Sequence, residues 1–236
     1  MPDRVLIVIP CYNEEASLPM VLDELRQTKL PGGYQLEVLV INDCSKDNTS
    51  AVAKKHNATV IDLPVNLGIG GAVQTGILYA RDNNFSLAIQ LDGDGQHPPK
   101  ELEKMIRFHL ETGANVVIGS RFLEKEGFQS SFVRRMGIKY FHWLNRLFTG
   151  LHIYDSTSGF RLFDRAAIEV AAARYPDEYP EPESLISFSK AGLKIMEVPV
   201  IMSHRLGGQS SIRHFSSLYY TIKVSLAMLF SFIRKS

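Results

Sequence analysis

A doubly wound α/β fold, with a mostly parallel sheet and helices on both faces, is what the sequence predicts. Over the first 120 residues, apolar β-branched runs alternate strictly with segments of helical spacing. The runs read as buried parallel strands rather than half-exposed ones. A chain of 236 residues, 45% hydrophobic and 22% charged, is also long enough to bury one core without disulfide or metal staples.

In chain order the predicted strands are residues 4–9, 36–41, 59–63, 87–91 and 115–118, each bounded by turn residues. Helical spacing covers 14–27, 48–56 and 69–81. It also covers 99–111, where Pro98 and Pro99 form a natural first turn. The alternation stops after Arg121. A helix over 132–148 is followed by irregular chain to Arg161, a short helix over 164–174, a proline-punctuated loop over 175–183, a strand over 194–201 and a terminal helix over 212–233. One domain is expected over 1–211, its two halves (1–120 and 121–211) divided where the alternation stops, followed by an amphipathic tail (212–236).

Cys11 and Cys44 each follow an apolar run, which predicts buried free thiols of a reducing compartment. The run before Pro10 is too short for a signal peptide. Segments 127–154 and 198–236 hold nine of the 26 basic residues and none of the 25 acids. A net charge of +1 thus hides an acidic body with two basic segments.

In such a sheet, ligands bind at the carboxyl ends of the strands. There stand Pro10-Cys-Tyr-Asn-Glu14, Asn42-Asp-Cys-Ser-Lys-Asp-Asn-Thr49 and Asp92-Gly-Asp-Gly-Gln-His-Pro98. Asp92 and Asp94, separated by the small Gly93, can both approach a hard cation, Mg2+ or Mn2+, that bridges a donor's phosphates. An EF-hand is excluded, because its sixth position would be His97 rather than glycine. The glycines at 68, 70 and 71 open a helix, but Val73 breaks a dinucleotide-binding spacing. Arg121, Arg134, Arg135, Arg161 and Arg205 are candidates for holding anionic groups, since the guanidinium fork suits phosphate oxygens.

These three clusters, with Asn66-Leu-Gly-Ile-Gly-Gly-Ala72, Gly119-Ser-Arg-Phe122, Asp155-Ser-Thr-Ser-Gly-Phe-Arg161, Glu197-Val-Pro-Val and Arg205-Leu-Gly-Gly-Gln-Ser210, stand in the order seen in family 2 glycosyltransferases of the GT-A fold. The chain resembles the branch containing dolichol-phosphate mannosyltransferase and bacterial polyprenol-phosphate glycosyltransferases. The resemblance implies that Pro10, Tyr12, Glu14, Asp43 and Gly68 line the nucleotide pocket. It further implies that Asp92, Gly93 and Asp94 serve the metal-diphosphate and that Gln96 completes the metal shell. Many members carry Asp-Asp where this chain has Asn42-Asp43, so the base-binding role passes to Asp43 alone.

The helix over 132–148 places Val133, Met136, Tyr140, Leu144 and Leu147 on one face and Arg135, Lys139, His142 and Arg146 on the other. A basic, aromatic-bearing amphipathic helix suits the headgroup plane of a bilayer. In the tail, Phe215, Leu218, Ile222, Leu226, Leu229 and Ile233 form an apolar stripe, while Lys223 and several serines argue for lying on a membrane or packing on a partner rather than crossing the bilayer.

The function expected is inverting transfer of a sugar from a nucleotide diphosphate donor to a polyprenyl phosphate at the cytoplasmic membrane face, by a peripheral enzyme. Arg121, Arg134, Arg135 and Arg205 would hold the acceptor phosphate. The alternative acceptor is a hydroxyl of a lipid-linked glycan, which needs a carboxylate base, with Asp155, Glu181 and Glu183 the candidates. A sugar nucleotidyltransferase lacks support, because the loop after the first strand is not rich in glycine and arginine. A non-enzymatic membrane module would have no use for three acidic strand ends. No nucleic-acid partner is expected. A small membrane protein or a second copy of the chain stands as a further candidate partner.

Overall fold

The computed structural model describes residues 3–124, 132–177, 180–203 and 216–234. In it the strands are β1 (Arg4–Cys11), β2 (Gln35–Asn42), β3 (Thr59–Asp62), β4 (Leu87–Gln90), β5 (Val116–Ser120), β6 (Arg161–Asp164) and β7 (Ile195–Pro199). The helices are α1 (Leu18–Gln27), α2 (Thr49–Lys55), α3 (Gly68–Asp82), α4 (Leu102–Thr112), α5 (Phe132–Thr149), α6 (Arg165–Ala173), α7 (Pro180–Lys190) and α8 (Ser216–Ile233). The seven strands form one sheet in the order β3-β2-β1-β4-β6-β5-β7. All pairings are parallel except those of β6, which runs antiparallel between β4 and β5.

The doubly wound arrangement follows from the alternation along β1. Val5, Ile7 and Ile9 pack on Leu18, Val21 and Leu22 of α1 and on Met105 and Ile106 of α4. Leu6 and Val8 pack on Val73 and Ile77 of α3, beside Ile168 of α6 and Phe188 of α7. With both faces covered, every side chain of the strand interior is apolar, and this is why the sheet reads as continuous runs.

Three elements and one cysteine depart from the sequence expectation. Helix α1 begins at Leu18 rather than Glu14, with Pro19 in its first turn. The preceding residues are held in turns, Asn13 with a positive φ of 58°. Residues 161–164 form a strand where irregular chain and a helix start were expected. The proline-punctuated loop becomes helical from Pro180. Its prolines fall in the first turn, where no intrahelical partner awaits an N–H. Of the two cysteines, both are free thiols, but only Cys11 is buried and Cys44 is exposed.

A third, smaller core joins Phe141 and Leu144 of α5, Ile186 of α7, and Val224 and Met228 of α8. The apolar face expected of α5 divides between core and surface. Leu144 turns inward with Phe141, whereas Tyr140, Trp143 and Leu147 are exposed. In α8 the stripe of Ile222, Leu226, Leu229 and Ile233 faces outward, with Phe230 beside it. Among the described residues, no helix is long and apolar enough to cross a membrane.

Candidate active site

The loops after β1 and β2 are tied together by side chains that satisfy each other's backbone. Asn13 N–H donates to Ser45 Oγ at 3.0 Å, and Asn13 Oδ1 accepts from Lys46 N at 2.7 Å. Glu14 N–H donates to Thr49 Oγ1 and Glu15 N–H to Asp47 Oδ2, while Glu15 Oε2 accepts from Asn48 N and Nδ2. Pro10 is buried at the end of β1 and Tyr12 is exposed at the rim.

Asp43 is buried, and its carboxylate accepts from Leu67 N at 2.7 Å and Gly68 N at 2.9 Å. It therefore anchors the glycine-rich turn that opens α3. Each carboxylate oxygen retains a lone pair, so acceptor capacity remains for a base edge. The neighbouring Asn42 donates through Nδ2 to Asp62 Oδ1 at 2.8 Å and accepts from Ser45 N at 3.2 Å. Hydrogen bonds from Lys54, Ser50 and Asn42 hold the Asp62 carboxyl down at about 2. An aspartate at position 42 could not donate to Asp62, and this accounts locally for the asparagine.

At the end of β4, Gly93 closes on the first loop. A Cβ there would lie 2.7 Å from Cys11 Sγ and 3.7 Å from Glu14 Cγ, so only glycine lets the two strand ends meet. Asp94 is buried, and its Oδ1 accepts from Gln96 N at 2.9 Å across a turn in which Gly95 has φ 77°. The Asp92 side chain is one-third exposed. Its backbone N–H donates to His97 Nδ1 at 3.1 Å. Gln96 is half-buried, and its carbonyl accepts from Ser203 N. Among the described residues no group of three His, Cys, Asp or Glu side chains is placed to hold a metal. The residues present fit a cation of the Mg2+ or Mn2+ kind, which takes one or two carboxylates and completes its shell from substrate phosphates and water.

The remaining candidates separate. Arg121 and Asp155 form a buried bidentate pair, with Nε to Oδ2 at 2.7 Å and Nη2 to Oδ1 at 2.6 Å, and Arg121 N also donates to Asp155 Oδ2. The N–H groups of Tyr154 and Asp155 donate to Glu197, each at 2.7 Å. Burial pushes the Glu197 carboxyl up, and those two backbone donors oppose the shift. Glu183 is tied to α8, its Oε1 accepting from Ser231 Oγ at 2.6 Å. Glu181 is half-buried; burial raises its carboxyl and the Arg161 charge draws it back, with Asp92 close enough to raise it further. Arg161 itself is fully buried and donates to Ser158 O, Ser184 Oγ and Ser156 O. Arg134 and Arg135 lie on α5 with side chains outside the described residues, as does the whole of Arg205.

The structure thus brings Glu14, Asp43, Gly68, Asp92, Gly93 and Asp94 to one sheet edge, with Arg121 and Glu181 within electrostatic reach of Asp92. A sequence profile of glycosyl transferase family 2 matches residues 6–171, a span that holds every one of those groups but Glu181. The chain belongs to glycosyl transferase family 2.

This family 2 glycosyltransferase is 28% identical over 221 residues to the UDP-N-acetylglucosamine–dolichyl-phosphate N-acetylglucosaminyltransferase of Methanococcus voltae, covering 85% of this chain and 86% of that one. It is 29% identical over 219 residues to the undecaprenyl-phosphate mannosyltransferase of Micrococcus luteus, covering 89% and 87%. In fold, the glycosyltransferase matches the glucosyl-3-phosphoglycerate synthase of Mycobacterium tuberculosis, solved with Mn2+, UDP-glucose and phosphoglyceric acid. The TM-score is 0.71 at 20% identity, over 100% of this chain and 81% of that one. The expected GT-A sheet is therefore the observed one. His97, buried at the strand ends, has no role in the sequence pattern; its position three residues after Asp94 carries no periodic or spacing signal.

Proposed function

We propose that this family 2 glycosyltransferase transfers a sugar from a nucleotide diphosphate donor to a polyprenyl phosphate, with inversion, at a membrane surface. The observation that supports the acceptor is the fate of two of the three candidate bases, which leaves Glu181 alone for a hydroxyl acceptor. Asp155 has both oxygens committed to Arg121 in a buried pair, and Glu183 is turned to α8. A hydroxyl acceptor needs a carboxylate to take its proton, whereas a lipid phosphate arrives ionised and needs none. The two relatives named above carry different sugars in their names but share a polyprenyl-type phosphate as acceptor.

In this reading Asp43, Glu14 and Tyr12 hold the nucleoside, and Asp92, Asp94 and Gln96 would hold the divalent cation. The cation, when bound, neutralises charge building on the leaving diphosphate. The acceptor oxygen forms its bond to the anomeric carbon on one face as the bond to the β-phosphate oxygen breaks on the other, its electron pair leaving with the nucleoside diphosphate. Arg121, fixed by Asp155, contributes positive potential beside Asp92 rather than a free fork. Arg134, Arg135 and Arg205 remain the candidates for direct contact with the acceptor phosphate. Membrane contact is assigned to α5 and α8. Their outward residues Trp143, Leu147, Ile222, Leu226 and Phe230 are edged by the exposed Lys139, Arg146 and Arg234. Residues 1–120 build the donor side in this scheme, and 121–211 with 212–236 the acceptor and membrane side.

The test is incubation of the enzyme with a panel of labelled nucleotide sugars, Mn2+ or Mg2+, and either undecaprenyl phosphate or a lipid-linked glycan. Label passing to the glycan and not to the lipid phosphate, with Glu181→Gln inactive, would replace this reading with hydroxyl transfer from a Glu181 base.

A further inference from the structure

We infer that His97 is a positioning residue for Asp92, fixing the direction in which that carboxylate meets the cation; the inference rests on the metal reading above. Leu91 N–H is given to Val8 O on the β1 side, so the next N–H, that of Asp92, faces the β6 side, where the pairing of β4 with β6 has ended at Gln90 and Arg161. The N–H of Asp92 therefore needs another partner, and the buried ring of His97 supplies one through Nδ1 at 3.1 Å. With Nδ1 accepting, the ring proton belongs on Nε2. The nearer carboxylate oxygen, Oδ2, is 3.7 Å from the same nitrogen, beyond hydrogen-bond range, so the ring holds the backbone of Asp92 and leaves its carboxylate to the crevice.

The ring is held in turn. It stacks on Phe160 with centroids 4.9 Å apart and planes within 11°. Phe160 rests on Gly119, where a Cβ would come within 3.0 Å of Phe160 Cδ1, and Ser158 Oγ donates to Gly119 O at 2.7 Å. From the other side Gly159 lies beside the carboxylate: a Cβ there would meet its two oxygens in ordinary contact, at 3.5 and 3.7 Å, and would crowd Gln90 Nε2 at 2.9 Å. The motifs at 92–98, 119–122 and 155–161 thus meet at one aromatic stack whose outer end is Asp92. A ligand oxygen is useful to a cation only if its direction is fixed, and partners behind the ligands typically matter for affinity almost as much as the ligands themselves.

Two substitutions divide the ring's functions. His97→Phe keeps the stack and removes the acceptor, whereas His97→Asn keeps an acceptor oxygen near the Nδ1 position and removes the stack. Binding of Mn2+ is measured by the electron paramagnetic resonance of the free ion, with UDP or with GDP in excess, alongside thermal melting. The expected result is that His97→Phe melts near the wild type but weakens Mn2+ binding roughly 10- to 100-fold, and that His97→Asn recovers most of the affinity. If His97→Phe does not fold, His97→Leu against His97→Asn, side chains of similar size, makes the same comparison. Affinity in the acceptor-less variant equal to wild type, with binding lost in Asp92→Asn, would overturn the role of His97 and leave the metal reading standing. No Mn2+ binding by the wild type with either nucleotide would overturn both.

Discussion

The donor edge of the sheet and the helical layer of α5, α7 and α8 are held together in different ways. At the donor edge, hydrogen bonds from short side chains to backbone fix each loop: Asn13 with Lys46, Asp43 with Gly68, Asp94 with Gln96. In the helical layer a small apolar cluster does the holding, aided by long side chains. Lys190 closes the end of α8 by donating to Ser231 O and Arg234 O, and Phe148 stacks on Phe232 at 5.0 Å. The first construction specifies positions to fractions of an ångström, as chemistry on a diphosphate demands. The second leaves Phe230 and Ile233 each 65% exposed, which suits a surface meant to meet something apolar.

Asp94→Asn tests the donor side most severely. It should lower kcat/KM by several kcal/mol, on the order of a thousandfold, with circular dichroism and melting close to wild type. Retained metal-dependent turnover would remove Asp94 from the mechanism and blur the contrast. Next comes Arg121→Ala, at the seam between the regions. It strands the fully buried Asp155 and should cost about 3 to 5 kcal/mol of stability, read from urea unfolding. A variant as stable as wild type but with a raised KM for the lipid would mean that Arg121 serves the acceptor directly.

Phe230→Asp with Ile233→Asp probes the outward face. Each apolar side chain withheld from the bilayer forfeits about 1.5 to 3 kcal/mol, so sedimentation with anionic vesicles should fall by more than tenfold while unfolding is little changed. Undiminished sedimentation would move the membrane contact elsewhere. The smallest effect expected is that of Glu181. Its carboxyl is raised in the fold, so folding favours the protonated form, and its contribution should diminish as pH climbs from the ordinary glutamate value of 4.5 through the raised one. Unfolding free energies of wild type minus Glu181→Gln, taken at pH 4.5 and 8, should therefore fall between the two. A rise would mean that Arg161 outweighs burial.

The same contrast explains what was legible in the sequence. Strands β1 to β5 and the acids at their ends announce themselves locally, since burial on both faces makes continuous apolar runs and a cluster of acids and glycines directly after such a run stands out from it. Strand β6 did not, because it opens with Arg161, whose charge is accommodated by Ser156, Ser158 and Ser184. A buried arginine satisfied by a serine 23 residues later leaves no local pattern. The candidate bases were equally opaque: what distinguishes Asp155 and Glu183 is a partner 34 and 48 residues away. For α5, a helical wheel found an apolar face but had no means of knowing that Leu144 would serve the core and Leu147 the surface, since the helix buries one edge of that face and displays the other.

The stitching between the loops after β1 and β2 bears on any attempt to exchange donor preference among relatives. Residues 13–15 and 45–49 satisfy one another's backbone through five partners that alternate between the loops. Grafting the second loop alone from a homologue would leave Asn13, Glu14 and Glu15 with N–H groups and acceptors cut for a mate no longer present. The two loops form a single cassette, transplantable as a pair, and a chimera built on that boundary would keep their mutual hydrogen bonds intact.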